Sequence, residues 1–238
     1  MFNQLPILAV IGDRPPITQW EGLLVEDYLR KGDLERDLLS RVSLALSRSA
    51  RVVEINPLTR FPGNISINRQ IEDRLSRFEA FALAYGDLDY FKPFNDRYGF
   101  SRGDEVIKIT GRLILNIVKS KQPQGSFIGH IGGDDFVFLM ETGLMEGACR
   151  DIIHAFDQII PTFYDPEDRE KGGVASVSRQ GIARFFPFIG ISIGVTDTAV
   201  RSFSHFGELT GAASEMKHFA KKIKGSSYSI DRRGRQSA

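Results

Sequence analysis

Gly132-Gly133-Asp134-Asp135-Phe136 lies between two apolar runs, Phe127–Ile131 and Phe136–Met140. Two short β-type runs joined by a glycine pair read as a hairpin, because glycine supplies the positive φ that a tight turn needs. The turn then carries two adjacent carboxylates. Such a turn suits a hard divalent cation: Mg²⁺ takes oxygen ligands, commonly one or two carboxylates from protein, and keeps positions for phosphate and water. Alone, Gly-Gly-Asp is equally ordinary turn chemistry, so its neighbours in the chain decide between the two.

Upstream stand Asn56-Pro57-Leu58-Thr59-Arg60-Phe61-Pro62-Gly63-Asn64, then Tyr85-Gly86-Asp87-Leu88-Asp89-Tyr90-Phe91-Lys92, Asn95 and Gly103-Asp104. Downstream comes Ser192-Ile193-Gly194-Val195. In this order and spacing the chain resembles the GGDEF family of diguanylate cyclases, from about Asn56 to Asp231. The resemblance implies an α+β fold, the ferredoxin-like palm of nucleotidyl cyclases with an antiparallel sheet flanked by helices. The expected order β, α, β, β, α, β between residues 80 and 231 is that split pattern.

At 238 residues the chain has room for one large domain, or one domain and an appendage. A formal charge of +1 gives no bulk attraction to nucleic acid or to membrane surfaces, so partners are expected at defined sites. Cys149 is the only cysteine, which excludes an internal disulfide and a cysteine zinc cluster and fits a cytoplasmic location. No apolar run approaches the roughly 20 residues of a membrane helix, and Met1–Val10 lacks a basic leader.

The N-terminal run Leu5-Pro6-Ile7-Leu8-Ala9-Val10-Ile11 reads as a buried parallel strand. Pro15-Pro16, a short helical piece, Val25–Lys31 and a long amphipathic segment, Leu34–Ile55, follow. This order resembles the closing part of a response-regulator receiver domain without its first three strands and phospho-accepting Asp; an unrelated strand–helix cap is the alternative. Leu38, Leu39, Val42, Ala45, Leu46, Ser49, Val52 and Val53 recur at helical spacing over about 33 Å. Signal transmission, a dimer seam and packing on its own domain all remain open for this helix. Pro57 stops it, giving a partial receiver-like segment and linker helix at 1–55, a GGDEF domain at 56–231 and a tail at 232–238.

Asn64 is expected to cap a helix bearing Ile67, Ile71 and Leu75, followed by a strand over Phe78–Tyr85 that puts Asp87 and Asp89 on one side if it persists. Helices are expected at Asp104–Lys119, Leu144–Ile160 and Phe206–Lys222, with strands at Phe186–Val195 and Ser226–Ile230. Residues 161–185 read as a surface insertion with its own hairpin.

Neither a P-loop nor a Rossmann glycine motif is present. The resemblance implies that Asp87, the backbone carbonyl of Leu88 and Asp134 coordinate Mg²⁺ or Mn²⁺ on a GTP triphosphate. It also implies Asp135 as base or ligand, Lys92 as the transition-state cation, Asn95 and Asp104 as guanine readers with Phe91 in the substrate pocket, and Lys221 or Lys222 on phosphate. Asp135 is one methylene shorter than the family's Glu. Phe100 replaces a common His, Ser226 replaces an Arg, and Pro123-Gln124-Gly125-Ser126 lacks the inhibitory R-x-x-D. His130, His154, His205 and His218 show no metal-ligand spacing and read as structural. Two functions follow: a diguanylate cyclase whose homodimer condenses two GTP to cyclic di-GMP and two pyrophosphates, or a degenerate domain that binds GTP or a protein partner as a regulatory module.

Overall fold

The computed structural model describes residues 6–12, 25–177 and 183–234. It divides into two compact units, Met1–Ile55 and Asn56–Ala238. In the first, β1 (Leu8–Ile11) and β2 (Asp27–Arg30) pair in parallel, with Leu8 opposite Asp27. The crossover that parallel pairing requires, with the helical piece expected after Pro15-Pro16, lies outside the described residues. A 3₁₀ turn, Lys31–Asp33, leads into α1 (Leu34–Glu54). Arg41 ties α1 to β2 by bonding both carboxylate oxygens of Asp27 at 2.9 and 3.0 Å. On this helix Ala45 is buried, while Leu38, Leu46 and, at 83%, Leu39 are exposed.

The second unit contains α2 (Asn64–Ser76), β3 (Ala82–Asp89), α3 (Phe91–Tyr98), α4 (Phe100–Lys121), β4 (Phe127–Gly132), β5 (Asp135–Met140) and α5 (Thr142–Ile159). After these come α6 (Pro166–Glu170), β6 (Gly173–Val177), β7 (Ala183–Pro187), β8 (Gly190–Asp197), α7 (Phe206–Ala220) and β9 (Ser227–Ile230). Five strands form the main sheet in the order β4-β5-β3-β8-β9. All its pairings are antiparallel except β8 with β9.

Strand periodicity of two divides the core between the faces of this sheet. Ala82, Ala84 and Leu88 of β3, Phe136 and Phe138 of β5, and Ile191, Ile193 and Val195 of β8 pack with α4 and α5. Leu83 of β3 and Val137 and Leu139 of β5 pack with Ile67 and Ile71 of α2 and Leu209 and Ala213 of α7. The odd-numbered positions of β3 and β5 therefore face α7, and that parity places the site described below. Cys149 is fully buried in the first of these clusters.

Several sequence expectations are corrected. The strand expected over Phe78–Tyr85 begins only at Ala82, because Phe78 is the left-handed residue that ends α2. Glu79 N–H reaches back to Arg74 O and Phe78 N–H to Leu75 O, the paired bonds of a Schellman cap. Asn64 opens α2 without capping it, since the cap residue is Gly63 and no side-chain bond is made there. The helix expected from Asp104 starts at Phe100. The single strand expected over Phe186–Val195 is two: β7 ends at Pro187 in the two-stranded β6–β7 sheet, and β8 begins at Gly190 in the main one.

The insertion does carry a hairpin, β6 with β7, while residues 178–182 lie outside the described residues. It is more than a surface excursion. Tyr164, Asp168 and Val174 are buried, the Tyr164 hydroxyl accepts from Ile189 N–H at 2.8 Å, and the Asp168 carboxylate accepts from the Tyr98 hydroxyl at 2.6 Å and Arg97 Nε at 3.0 Å. These bonds brace α3 from behind.

Phe78 holds φ 54° with 95% of its surface exposed, so its side chain contributes little packing while its Cβ opposes the left-handed conformation. Phe78→Gly should raise the stability of the second unit by about 0.5–1 kcal/mol. Chemical denaturation of the whole chain checks this; a loss of stability would mean that the exposed ring makes contacts in solution.

Candidate functional site

The facing rule puts Asp87 and Asp89 of β3 and Asp135 of β5 on the side of the sheet covered by α7. Pairing between β3 and β5 stops at Gly86 opposite Phe136, so Asp87 is level with Asp135, the first residue of β5, and Leu88 and Asp89 run past it. At that corner β4 ends at Gly132, φ 149°, and the tight turn Gly133-Asp134, with Gly133 at φ 60°, sets Asp134 in the turn and Asp135 opposite Gly132, beside them. What meets these carboxylates is an ammonium. Lys217 Nζ lies 2.7 Å from Asp135 Oδ1 and 3.1 Å from Asp87 Oδ2, with the face of the Tyr85 ring 4.4 Å away. Lys221, one helical turn on, also pairs with Asp87.

Lys217 is only 7% exposed. The sequence permits this through Gly194. A Cβ there would lie 2.1 Å from Ala213 O and Lys217 N, so the glycine lets α7 settle directly on β8 and carry the lysine stem between helix and sheet. Lysine is almost never buried unless paired, and the electrostatics follow. Burial works against the Lys217 charge, but hydrogen bonds and charges from Asp135 and Asp87 outweigh it and raise its pKa. Burial likewise opposes ionisation of Asp87, and Lys221 with Lys217 nevertheless hold its carboxyl below the usual range. Asp134 is pushed up by burial and by the charge of Asp87, against a weaker pull from Lys221, and makes no ion pair among the described residues. Asp135 is pushed up by burial despite Lys217.

A second element lies where α3 meets α4. Gly103, inside α4 where glycine normally costs about 1 kcal/mol, is required by contact. A Cβ there would fall 1.9 Å from Asn95 Oδ1 and 3.2 Å from the Phe91 ring. Asn95 Oδ1 is buried with no hydrogen-bond partner among the described residues. Asp104 is exposed next to it. A third element, a cavity of 270 Å³, is lined by Asp89, Tyr90, Phe188, Lys221, Lys224 and Gly225, among others. Ser226, just behind it, is structural: its hydroxyl donates to Asp157 and its oxygen accepts from Ile191 N–H.

A sheet corner with converging carboxylates, a buried unpaired amide beside an exposed carboxylate and a lysine-lined cavity can be compared with known proteins. Residues 53–222 match the family model described as "Diguanylate cyclase, GGDEF domain". The chain belongs to the GGDEF family. It is 32% identical over 95 residues to diguanylate cyclase DgcP of Pseudomonas aeruginosa, a match covering 38% of this chain and 14% of that protein. Diguanylate cyclase TpbB of the same species is 30% identical over 121 residues, covering 50% of this chain and 25% of its own length. The chain thus spans a quarter or less of these relatives. The solved coiled coil and GGDEF domain of DgcB from Caulobacter crescentus, in complex with c-di-GMP, superposes with a TM-score of 0.59 at 17% identity, covering 84% of this chain and all of that one. At that identity the likeness shows the fold alone.

Within this GGDEF domain the structure brings together Asp87, Asp134, Asp135 and Lys221, and separately Phe91, Asn95 and Asp104. Lys92 is exposed on the first turn of α3, not at a strand end, and has no ion pair among the described residues. Lys222 turns away over the Phe219 ring, at 4.9 Å, leaving Lys221 in the cavity. Leu88 buries its side chain in the core. Sequence reasoning missed Lys217. Its signal was present in the four-residue spacing to Lys221 and in its small and apolar neighbours Ala213, Met216 and Ala220.

GGDEF diguanylate cyclases are divalent-metal dependent, and the residues here do not fit a resident divalent ion. Asp87 and Asp135, which face each other at the corner, already share an ammonium, and Asp87 holds a second. Among the described residues no group of three His, Cys, Asp and Glu side chains is placed to hold a metal by itself, and Asp87 Oδ1, buried without a hydrogen bond, lies against the Lys221 ammonium.

The Gly-Gly-Asp-Asp turn is itself held by His130. Its Nε2 lies 3.0 Å from Gly133 O, a group that only accepts, so Nε2 carries the proton; Nδ1 then accepts from the Thr59 hydroxyl at 2.9 Å. The ring stacks on Phe136 with centroids 4.5 Å apart. Burial pushes its pKa below the ordinary 6.5, against the backbone bond to Gly133. A histidine whose folded pKa is depressed contributes stability that is present above its unfolded pKa and lost as pH falls through its folded pKa. An NMR titration of the imidazole signals should give His130 a midpoint below 6.5; a midpoint above 6.5 would contradict the buried, neutral ring.

Proposed function

We propose that this GGDEF domain is a GTP-binding regulatory module in which condensation of GTP to cyclic di-GMP is suppressed. The observation that carries the proposal is the Lys217 ammonium bridging Asp87 and Asp135, the carboxylates expected to handle the reacting phosphate. The case for a guanine nucleotide rests on the side chains where α3 meets α4, among them the unpaired Asn95 oxygen. The Asn95 amide offers both donor and acceptor, the Asp104 carboxylate accepts from guanine N1–H and N2–H₂, and Phe91 gives the base an apolar wall. The polyphosphate then extends toward Lys221 and Lys224, whose ammoniums act as point charges on its oxygens.

One observation favours the cyclase as a second reading: Asp87, Asp134 and Asp135 still share one corner. Turnover under that reading needs Lys217 to vacate the corner and two domains to face each other, since each phosphodiester joins the 3′-hydroxyl of one GTP to the α-phosphate of another. A homodimer through α1 then raises the effective concentration, and the exposed Leu39 and Leu46 support such a seam. The parallel pairing of β1 with β2 is the feature that supports a receiver-like origin for residues 1–55.

Calorimetry with the whole chain should show GTP bound in preference to ATP by about 10²-fold or more, since a site built for one base leaves its polar groups unpaired with another. Asp104→Ala should erode that preference. Pyrophosphate release from GTP with Mg²⁺ should stay near background as protein concentration is raised. Equal binding of the two nucleotides would remove Asn95 and Asp104 as readers, and brisk release of pyrophosphate with a cyclic dinucleotide would make the chain a cyclase.

A further inference from the structure

We propose that Lys217 is a tethered counter-cation: its ammonium takes the position between Asp87 and Asp135 that a divalent ion would fill, so the ion is excluded and nucleotide phosphates bind without one. The metal-free nucleotide binding deepens, and rests on, the GTP-binding reading above; the exclusion of the ion does not depend on it.

An ammonium has three protons to place. Lys217 sets two against Asp135 Oδ1 at 2.7 Å and Asp87 Oδ2 at 3.1 Å, and the negative face of Tyr85 lies 4.4 Å from the nitrogen. Its hydrogen-bonding capacity is thus met inside the protein. For a divalent ion to enter, those carboxylate oxygens would have to turn to the ion, leaving the ammonium unpaired in a site screened from water, a costly state for a charge. A Cβ at Gly194 would lie 2.8 Å from Lys217 Cα, so α7 rests against β8 at that residue and the lysine starts from a fixed backbone position. Lys221 adds a second positive charge on Asp87, and within reach of Asp89 at 3.7 Å, which further repels an incoming cation. Lys221 and Asp89, at the edge of the cluster, also line the open cavity beside it, together with Lys224. A polyphosphate arriving there meets ammoniums, the role a metal ion would otherwise fill.

Chemistry accounts for why the lysine is retained. Without it, Asp87, Asp134 and Asp135 would crowd one corner with like charges and repel a phosphate, unless a metal were bound at all times. The tethered Lys217 ammonium offsets one of these charges and Lys221 a second, but as a strongly hydrated point charge an ammonium neither coordinates a phosphate and two carboxylates together nor lowers the pKa of a hydroxyl as a metal does. Nucleotide binding and suppressed condensation then have the same cause.

The test is Mn²⁺ titration of the whole chain followed by electron paramagnetic resonance, with calorimetry of GTP in EDTA and in Mg²⁺ beside it. The unmutated protein should bind Mn²⁺ no more tightly than about 1 mM, and its GTP affinity should change less than about threefold between EDTA and Mg²⁺. Lys217→Met should open a Mn²⁺ site at least about tenfold tighter, which Asp87→Asn in the same background then removes. A micromolar Mn²⁺ site in the unmutated chain that Asp87→Asn abolishes would overturn the proposal, as would GTP binding that requires Mg²⁺. If Lys217→Met does not fold, judged by circular dichroism, the Mn²⁺ titration of the unmutated chain still decides. Absence of GTP binding with or without Mg²⁺ overturns the nucleotide-binding part and the GTP-binding reading, while the Mn²⁺ result still decides whether the ion is excluded.

Discussion

A charged amine can sit between a helix and a sheet only where carboxylates come to meet it, and the corner of this domain is built around that condition at Lys217. Three independent features of the chain converge on it. The two-residue period of β3 and β5 turns Asp87 and Asp135 to the same face. The missing side chain of Gly194 lets α7 approach β8 closely enough for the lysine stem to lie inside. The turn at Gly132-Gly133, pinned by His130 to Gly133 and Thr59, fixes where β5 starts and hence where the Asp135 carboxylate lies. A buried pair of this kind is poor evidence of extra stability, since desolvation offsets much of the attraction. Its importance is positional: it decides which cation occupies the corner.

Much of this fold could be read from residue patterns because the relevant signals are local. The Gly-Gly hairpin, the helix around Val106, Ile114 and Val118, and the shared face of Asp87 and Asp89 follow from periods of two and 3.6. What the sequence concealed depends on long-range contacts. Phe78 reads as the first residue of a strand, yet it ends α2 in a conformation normally left to glycine. Tyr164 and Asp168 read as surface loop residues, yet they bond Ile189 N–H and the Tyr98 hydroxyl across the fold. Lys217 was hidden for the plainest reason, that a helical lysine is solvated by default; only the register of α7 on β8 turns it inward. Ser226 looked like a loss because an arginine is expected there, and it proves to fasten β8 to α5 through Asp157 and Ile191.

Membership of the GGDEF family fixes the scaffold and leaves the chemistry to the corner residues. The amide and carboxylate expected from the family motif, Asn95 and Asp104, lie where α3 meets α4, and Lys221 and Lys224 line the cavity. The carboxylate corner departs from the pattern, with the shorter Asp135 drawn onto an ammonium. On the reading proposed above, such a domain would hold a nucleotide at both ends while Lys217 occupies its reacting centre, an arrangement suited to sensing GTP.

Anomalous diffraction from crystals of the whole chain grown with GTP and Mn²⁺ tests this most directly. The account predicts Lys217 Nζ between Asp87 and Asp135 with no manganese peak at that point. A manganese peak coordinated by Asp87, with Lys217 displaced from the corner, would contradict it.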